Sequence, residues 1–404
     1  FVHALAGVPF GLSSPRAVLD QGEDYGSDAD HLPVGSGPFR CVAWSEDGTV
    51  RLMPFADYRA GHPAAPGLRF VALEDAAARL RAVATGEADG ADLPPRTDTA
   101  EAEGSGIRLV PRPARSTVWL VLNHSRPPLD DMRVRKAISL SIDRKALARD
   151  HFGPYAVPAG QLLPPLFPGR AEGIEAPPRS LAMAKALMRE SGAQPFKLNI
   201  WVATTPRPYL PDPAGTAEAV ADMLADIGIE AKVKSEGLRE FLSDRDRGRF
   251  SAWILGWQAQ SADPDNFWFW HFGAGRLAAE GQYDRPALAA LLLDAQRSLS
   301  PEARAAAYSQ AAAMVDNDAA RVFLAYPRPI VALGNQLQGF DPSPMAFDSF
   351  LAAHVSPRPE APRIPPTTGS ARVTANTTAT VTATVTITAG ATTATAPSSS
   401  PGGP

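Results

Sequence analysis

Apolar residues recur at two spacings along residues 1–355, and the two spacings alternate. Phe70 to Leu73 reads as a short strand. Ala77, Leu80 and Ala84 then recur at helical spacing, predicting a helix over 74–85 that Gly86 stops. Strands are predicted at 107–110 and 117–122. Val134, Ala137, Ile138, Ile142 and Leu147 predict one amphipathic helix over 131–150. Further helices follow at 180–191 and 214–227, closed by Gly192 and Gly228, and at 238–247, 285–299 and 301–317, the last with Pro301 in its first turn. Strands are predicted between them at 197–202, 229–233, 251–256 and 321–326. Alternation of this kind is the mark of an α/β protein, with a mixed sheet in each domain.

From about Ser356 the pattern stops. Between Thr367 and Pro404 there are 13 threonines and a single charge, Arg372. Such a segment has too few large apolar groups to offset its ordering entropy, so residues 356–404 are expected to form a disordered Pro/Thr/Ala/Ser-rich tail. The alternating Thr/Val/Ala/Ile stretch over 373–387 is the exception, because it has strand propensity.

Composition narrows the function. A net charge of −4 provides no basic field for nucleic acid or anionic membrane. The single cysteine, Cys41, allows no intrachain disulfide, CxxC pair or thiolate zinc site. The best apolar run, Val118 to Leu122, is far shorter than the ~20 residues of a membrane span and reads as a strand. Arginine takes 33 of the 39 basic positions, as GC-rich coding would produce. The chain opens at Phe1 with no basic signal region, which points to a processed chain or a fragment.

No phosphate loop, HExxH or GxSxG motif is present. The seven histidines never pair at ligand spacing, and His271, within Phe267–Phe272, reads as a packed core group. The Gly-Ser-Gly turns at 35–37 and 104–106 lack the rest of a nucleotide fingerprint. Asp263 and Asp265 flank a proline and read first as a turn whose side chains cap backbone amides, with direct ligand contact as the alternative. No cofactor and no metal site are expected, and catalysis is not.

Six ordered stretches together resemble one family, the family 5 extracytoplasmic solute-binding proteins of ABC importers, the peptide, dipeptide and nickel group. They are Pro33 to Arg40 with Trp44; Leu80 to Asp92 with its Gly86-Glu-Ala-Asp89; Pro127 to Asp131 with Arg133 to Arg144; Arg207-Pro-Tyr-Leu-Pro-Asp212 with 217–228; Leu255-Gly-Trp257 with Asp263-Pro-Asp-Asn-Phe267; and 295–326. The third is the most specific. The resemblance implies a two-lobed periplasmic-binding-protein-like (class II) α/β fold with mixed sheets and a hinge. Residues 1–112 would be the remainder of lobe one, 113–328 lobe two, and 329–355 a return into lobe one. It also implies that an N-terminal part of about a domain's length is missing.

The implied function is capture of a peptide-like or small acidic solute, for delivery to a membrane ABC permease, by a monomer outside the cytoplasm. Two alternatives stay open: the ligand-sensing part of a transcription regulator, and a metal-chelate or haem binder of the same family. By the resemblance to the dipeptide branch, Arg207 meets a ligand carboxylate, for which a guanidinium fork is suited. The branch's acid that meets the ammonium is here Gln260, which carries no charge. Three readings follow: a ligand without a free ammonium or shifted in register, an acid supplied instead by Asp263 or Asp265, or a site that has decayed. Trp257 either stacks on the ligand's apolar part or packs in the lobe-two core, and Tyr209 either lines the site or stiffens its loop.

Overall fold

A computed structural model describes residues 13–273, 281–344 and 348–356, and the backbone of one strand at Val385–Ala389. The first lobe holds α1 (Pro15–Gln21), β1 (Phe39–Trp44), β2 (Val50–Pro54), β3 (Leu68–Ala72), α2 (Ala76–Thr85), β4 (Gly90–Leu93) and β5 (Ile107–Pro111). The second holds β6 (Ser116–Leu122), α3 (Met132–Ser141), α4 (Arg144–Phe152), β7 (Val157–Pro158), α5 (Leu181–Ser191), β8 (Phe196–Ala203) and α6 (Pro213–Ala225). It continues with β9 (Ile229–Glu236), α7 (Leu238–Asp246), β10 (Ala252–Gln258), α8 (Asp265–Phe272), α9 (Pro286–Arg297), α10 (Pro301–Asn317) and β11 (Val322–Tyr326). The chain then returns to the first lobe through β12 (Ile330–Gly334), the small pair β13 (Leu337–Gln338) and β14 (His354–Val355), and finally β15 (Val385–Ala389).

The second sheet runs β7-β11-β6-β10-β8-β9. All seven residues of β6 are buried, because both sheet faces are covered. Val118, Leu120 and Leu122 face a core closed by α3 to α6. Trp119 and Val121 face the aromatic core under α8, α9 and α10. Among the described residues, no helix is long and apolar enough to cross a membrane.

The most specific stretch of the resemblance turns out to be scaffold. The expected single helix over 131–150 is two helices, because Ile142 turns extended and inward and Asp143 caps α4 through the Ala146 amide at 3.0 Å. Buried Arg135 donates to the carbonyls of Leu129, Asp130, Asp318 and Ala319 at 2.7–3.1 Å. Buried Arg144 donates to the Phe323 carbonyl at 2.6 Å, where β11 shifts register against β6. Arg135 ties α3 to the turn between α10 and β11, and Arg144 ties α4 to β11.

The first sheet runs β1-β2-β3-β15-β4-β12-β5. Here the expectation of a disordered tail is corrected for Val385–Ala389. This strand lies parallel between β3 and β4, which do not pair with each other, and registers Val385 with Leu68 through Ala389 with Ala72. Two open strand edges facing a common gap are a strong template, and a β-branched segment of alternating Thr, Val and Ile fits it. The rest of the tail lies outside the described residues.

At the end of β6 remote from the first lobe, half-buried His124 packs against Tyr283, ring centroids 5.2 Å apart. Burial, with Arg135 and Arg321 nearby, pushes its pKa down to about 3, against smaller opposing effects of the Ala320 carbonyl and Asp318. The unfolded chain takes up this proton near pH 6.5 and the folded chain does not. Stability therefore falls as the pH drops from there toward 3, by at most about 1.4 kcal/mol per pH unit. His124→Gln should flatten that slope. Chemical unfolding between pH ~7 and ~5, above most carboxylate titrations, reads it; identical slopes for the two proteins would mean that the imidazole charges in place.

Candidate functional site

β8, β9 and β10 are mutually parallel, so their C-terminal ends lie at one edge of the second sheet. That edge adjoins the first lobe: Trp257 and Gln258 at the end of β10 pair with Thr117 and Ser116 at the start of β6, directly after the 112–115 crossover. The return crossover runs alongside. The Arg112 amide donates to the Pro329 carbonyl at 2.8 Å, and Arg328 donates to the carbonyls of Arg112 and Pro111 at 2.9 and 3.1 Å. Ligands of open α/β sheets gather at such carboxyl ends.

One flank of this edge is the β8–α6 loop. Arg207 and Leu210 exchange two backbone hydrogen bonds, at 3.0 and 2.9 Å, closing a tight turn that leaves Arg207 exposed. Tyr209 lays its ring on Gly256 of β10, where a Cβ would meet the ring at 2.6 Å and the Thr117 carbonyl at 2.6 Å. A glycine is required there. Burial pushes the Tyr209 hydroxyl's pKa up, opposed by the Arg207 guanidinium beside it. Tyr209 thus holds the turn that presents Arg207.

The other flank is on the opposite face of β10, since Trp257 follows Gly256. Asn266 organises it. Its Oδ1 accepts from Trp257 Nε1 and from the Gln260 amide, both at 3.0 Å. Gln260 is exposed and Trp257 half-buried, its ring 5.2 Å from that of His271 and 6.1 Å from that of Trp270. Trp257 therefore packs on the lobe-two core with part of its ring left exposed. His271 is buried, edge-on to Trp119 at 4.7 Å.

Asp263 and Asp265 are engaged within the lobe. Asp263 forms a two-oxygen ion pair with Arg304 at 2.5 and 2.7 Å and caps the Asp265 amide at 2.8 Å. Asp265 accepts from Gln296 Nε2 at 2.8 Å and from the Tyr308 hydroxyl at 3.3 Å. Burial, with Asp263 close by, raises the Asp265 pKa. The structure brings Arg207 and Tyr209 together, and Trp257 and Gln260 together, across one strand end. It turns the two aspartates inward, to fix α8.

Sequence reasoning passed over Asn266, whose signal was an amide in the first turn of a helix it had read as a turn and an aromatic run. It also passed over the contact between lobes. Asp212 caps α6 at the Gly215 amide and accepts from Arg96 of the first lobe at 2.9 Å, with His151 Nδ1 at 3.2 Å. Burial alone would raise the Asp212 pKa, yet these partners hold it below the usual carboxylate range. Beside them Gly153, in the left-handed region at φ +94°, leaves room for the Pro95 carbonyl, which a Cβ would overlap.

The family model for bacterial extracellular solute-binding proteins, family 5 (middle), matches residues 3–278. Probable di/tripeptide-binding protein 5 of Pseudomonas aeruginosa (strain UCBPP-PA14) is 30% identical over 322 residues, covering 79% of this chain and 61% of the relative. The dipeptide-binding protein of Escherichia coli (strain K12) is 24% identical over 326 residues, 80% of this chain and 61% of that protein. Among solved structures, HbpA2 from Haemophilus parasuis matches with a TM-score of 0.76 at 27% identity, over 84% of this chain and 68% of that one. This chain spans about three fifths of the length of those two relatives. A family model that covers more than half of the chain places it plainly: this protein belongs to the family 5 bacterial extracellular solute-binding proteins.

Proposed function

We propose that this chain is the ligand-gripping part of a substrate-binding component of an ABC importer. It takes a peptide-like or small acidic solute outside the cytoplasm and hands it, as a monomer and without catalysis, to a membrane permease. The reading is supported by the carboxyl end of β10 beside both crossovers, with Tyr209 and the Arg207 turn on one face and Trp257 and Gln260 on the other. The names of the two peptide-binding relatives support the ligand class.

A ligand spanning the end of β10 sets its carboxylate on Arg207 and its amino end near Gln260. Asp263 and Asp265 are already engaged, so the amino end meets an amide, not a charge. This favours a ligand whose amino end is blocked, because an unpaired buried ammonium costs several kcal/mol.

The test is thermal unfolding of the 404-residue chain with free dipeptides, N-acetylated dipeptides and longer peptides. A ligand at 100 times its Kd adds about 2.7 kcal/mol. N-acetylated dipeptides should raise Tm more than free ones. Arg207→Ala should weaken binding by about 2–5 kcal/mol, roughly 30-fold or more. A larger shift from free dipeptides would return the ammonium to a carboxylate, and no shift with any peptide would remove the ligand class.

A further inference from the structure

The first sheet is built as two halves with a gap between them. β1, β2 and β3 form one antiparallel run, and β4, β12 and β5 form another. β3 and β4 do not pair with each other, so among the described residues the hydrogen-bonded link between the halves is β15. On one face α2, which joins β3 to β4, packs Leu80 and Val83 with Ala91, Leu93, Ile330 and Ala332. On the other face Leu68 of β3 shares a core with Val331 and Leu333 of β12, which spans the gap. Residues 357–384, 28 in number, separate Ser356 from Val385, up to about 90 Å of chain. A tether of that length does not dictate where the strand lands; the gap does. From 373 to 389 every even position except 376 is threonine, and the odd positions are Val, Ala, Thr or Ile. A slip of two residues keeps this alternation. Ile387, the one isoleucine of the stretch, distinguishes the observed register, with Phe70 on one side and Gly90 on the other.

We propose that the gap between β3 and β4 is a strand-binding site, separate from the solute site, and that the chain's own residues 385–389 are its occupant. Its ligand class is an extended segment of alternating threonine and small aliphatic residues, running parallel to both edges. Binding is strand addition on two edges at once, so main-chain hydrogen bonds supply the affinity. β-branched residues suit a place in the middle of a sheet. Because the occupant arrives on a long tether, a separate peptide of the same pattern takes its place when the tail strand is disabled.

The experiment has two arms, both on the 404-residue chain. In a Cys41→Ser background, Arg69→Cys with Thr386→Cys sets two thiols at register partners, within disulfide reach. Arg69→Cys with Thr382→Cys sets them four residues out of register. Mild oxidation should link the first pair within one chain, in at least about tenfold higher yield than the second. Equal yields overturn the docked strand, and linkage mainly between two chains gives the site to a second copy and overturns the assigned occupant. In the other arm, Ile387→Pro removes a main-chain N–H from the middle of a strand paired on both sides, and should lower Tm by about 4 °C or more. The peptide of residues 381–390 at about 1 mM, the order of a tethered segment's effective concentration, should restore at least about half of that loss. A peptide of the same composition in shuffled order should not. An unchanged Tm for Ile387→Pro overturns the site, as does a loss that neither peptide restores or that both restore equally.

Discussion

Arg112→Ala should lower the unfolding free energy by about 3–5 kcal/mol, the cost of stranding buried charge. Arg112 is 3% exposed where the chain leaves β5 for the second lobe. Its guanidinium forks onto Asp348 at 2.6 and 2.7 Å, reaches Asp92 at 2.8 Å and donates to the Ser343 carbonyl at 2.9 Å. Burial alone would lower its pKa, yet Asp348 and Asp92 together raise it. Without the guanidinium, Asp348, 10% exposed, loses its direct ion pair and keeps only the more distant charge of Arg115. Asp92 is 40% exposed, so Asp92→Asn should cost far less, about 1 kcal/mol or under. Urea unfolding of the three proteins measures the order. Equal losses for the two variants, or a loss under about 1 kcal/mol for Arg112→Ala, would show that water already reaches the clasp. The main-chain amide at position 112 is kept in the variant and still donates to Pro329, so the loss should fall on the side-chain clasp.

Arg304→Met should be comparably damaging, about 3–5 kcal/mol, and should also weaken binding although Arg304 lies outside the proposed site. The ion pair joins α10 to the turn that starts α8, with side chains 7% and 12% exposed. Asp263 in that turn caps the Asp265 amide, and the next residue is Asn266, which holds Trp257 and Gln260. An Asp263 carboxylate that has lost Arg304 pulls toward water and takes the turn with it. The double variant Asp263→Asn with Arg304→Met keeps an amide oxygen for the cap and buries no charge, so it should regain most of the stability. A double-mutant cycle giving a coupling energy above about 2 kcal/mol supports this, whereas additive losses would place the damage elsewhere on α10.

Much of the site's frame was legible because it depends on local pattern. The run Val118–Leu122 read as a strand, and the helices closed by Gly192 and Gly228 ended within about two residues of the expected places. Other features were hidden because two local rules competed. Ile142 continues an apolar helical stripe, but Asp143 behind it makes a better cap than a helix interior residue, so the helix breaks there. Pro264 between two aspartates looks like a turn, yet it also opens a helix, and the aromatic run after it has no clean period to reveal α8.

The residue types of the site stand in the sequence: the arginine of the Arg-Pro-Tyr turn, the tryptophan after Gly256, and glutamine where an acid would complete a charge pair. Their partners do not. Asp263 and Asp265 carry the same charge and nearly the same sequence position as a ligand-binding acid would, and only the approach of Arg304, Gln296 and Tyr308 from distant helices turns them inward. The tail was decided in the same way: within a disorder-prone composition the 373–387 stretch carried strand propensity, and Val385–Ala389 becomes a strand where β3 and β4 present edges to it. Sequence by itself determined most of the helices and strands of the second sheet and which chemical groups are on hand, since these follow from neighbours within a few positions. Tertiary structure decided which charges are spent on the scaffold and which remain for a ligand, since that depends on groups brought together across 30 to 40 residues or more by packing.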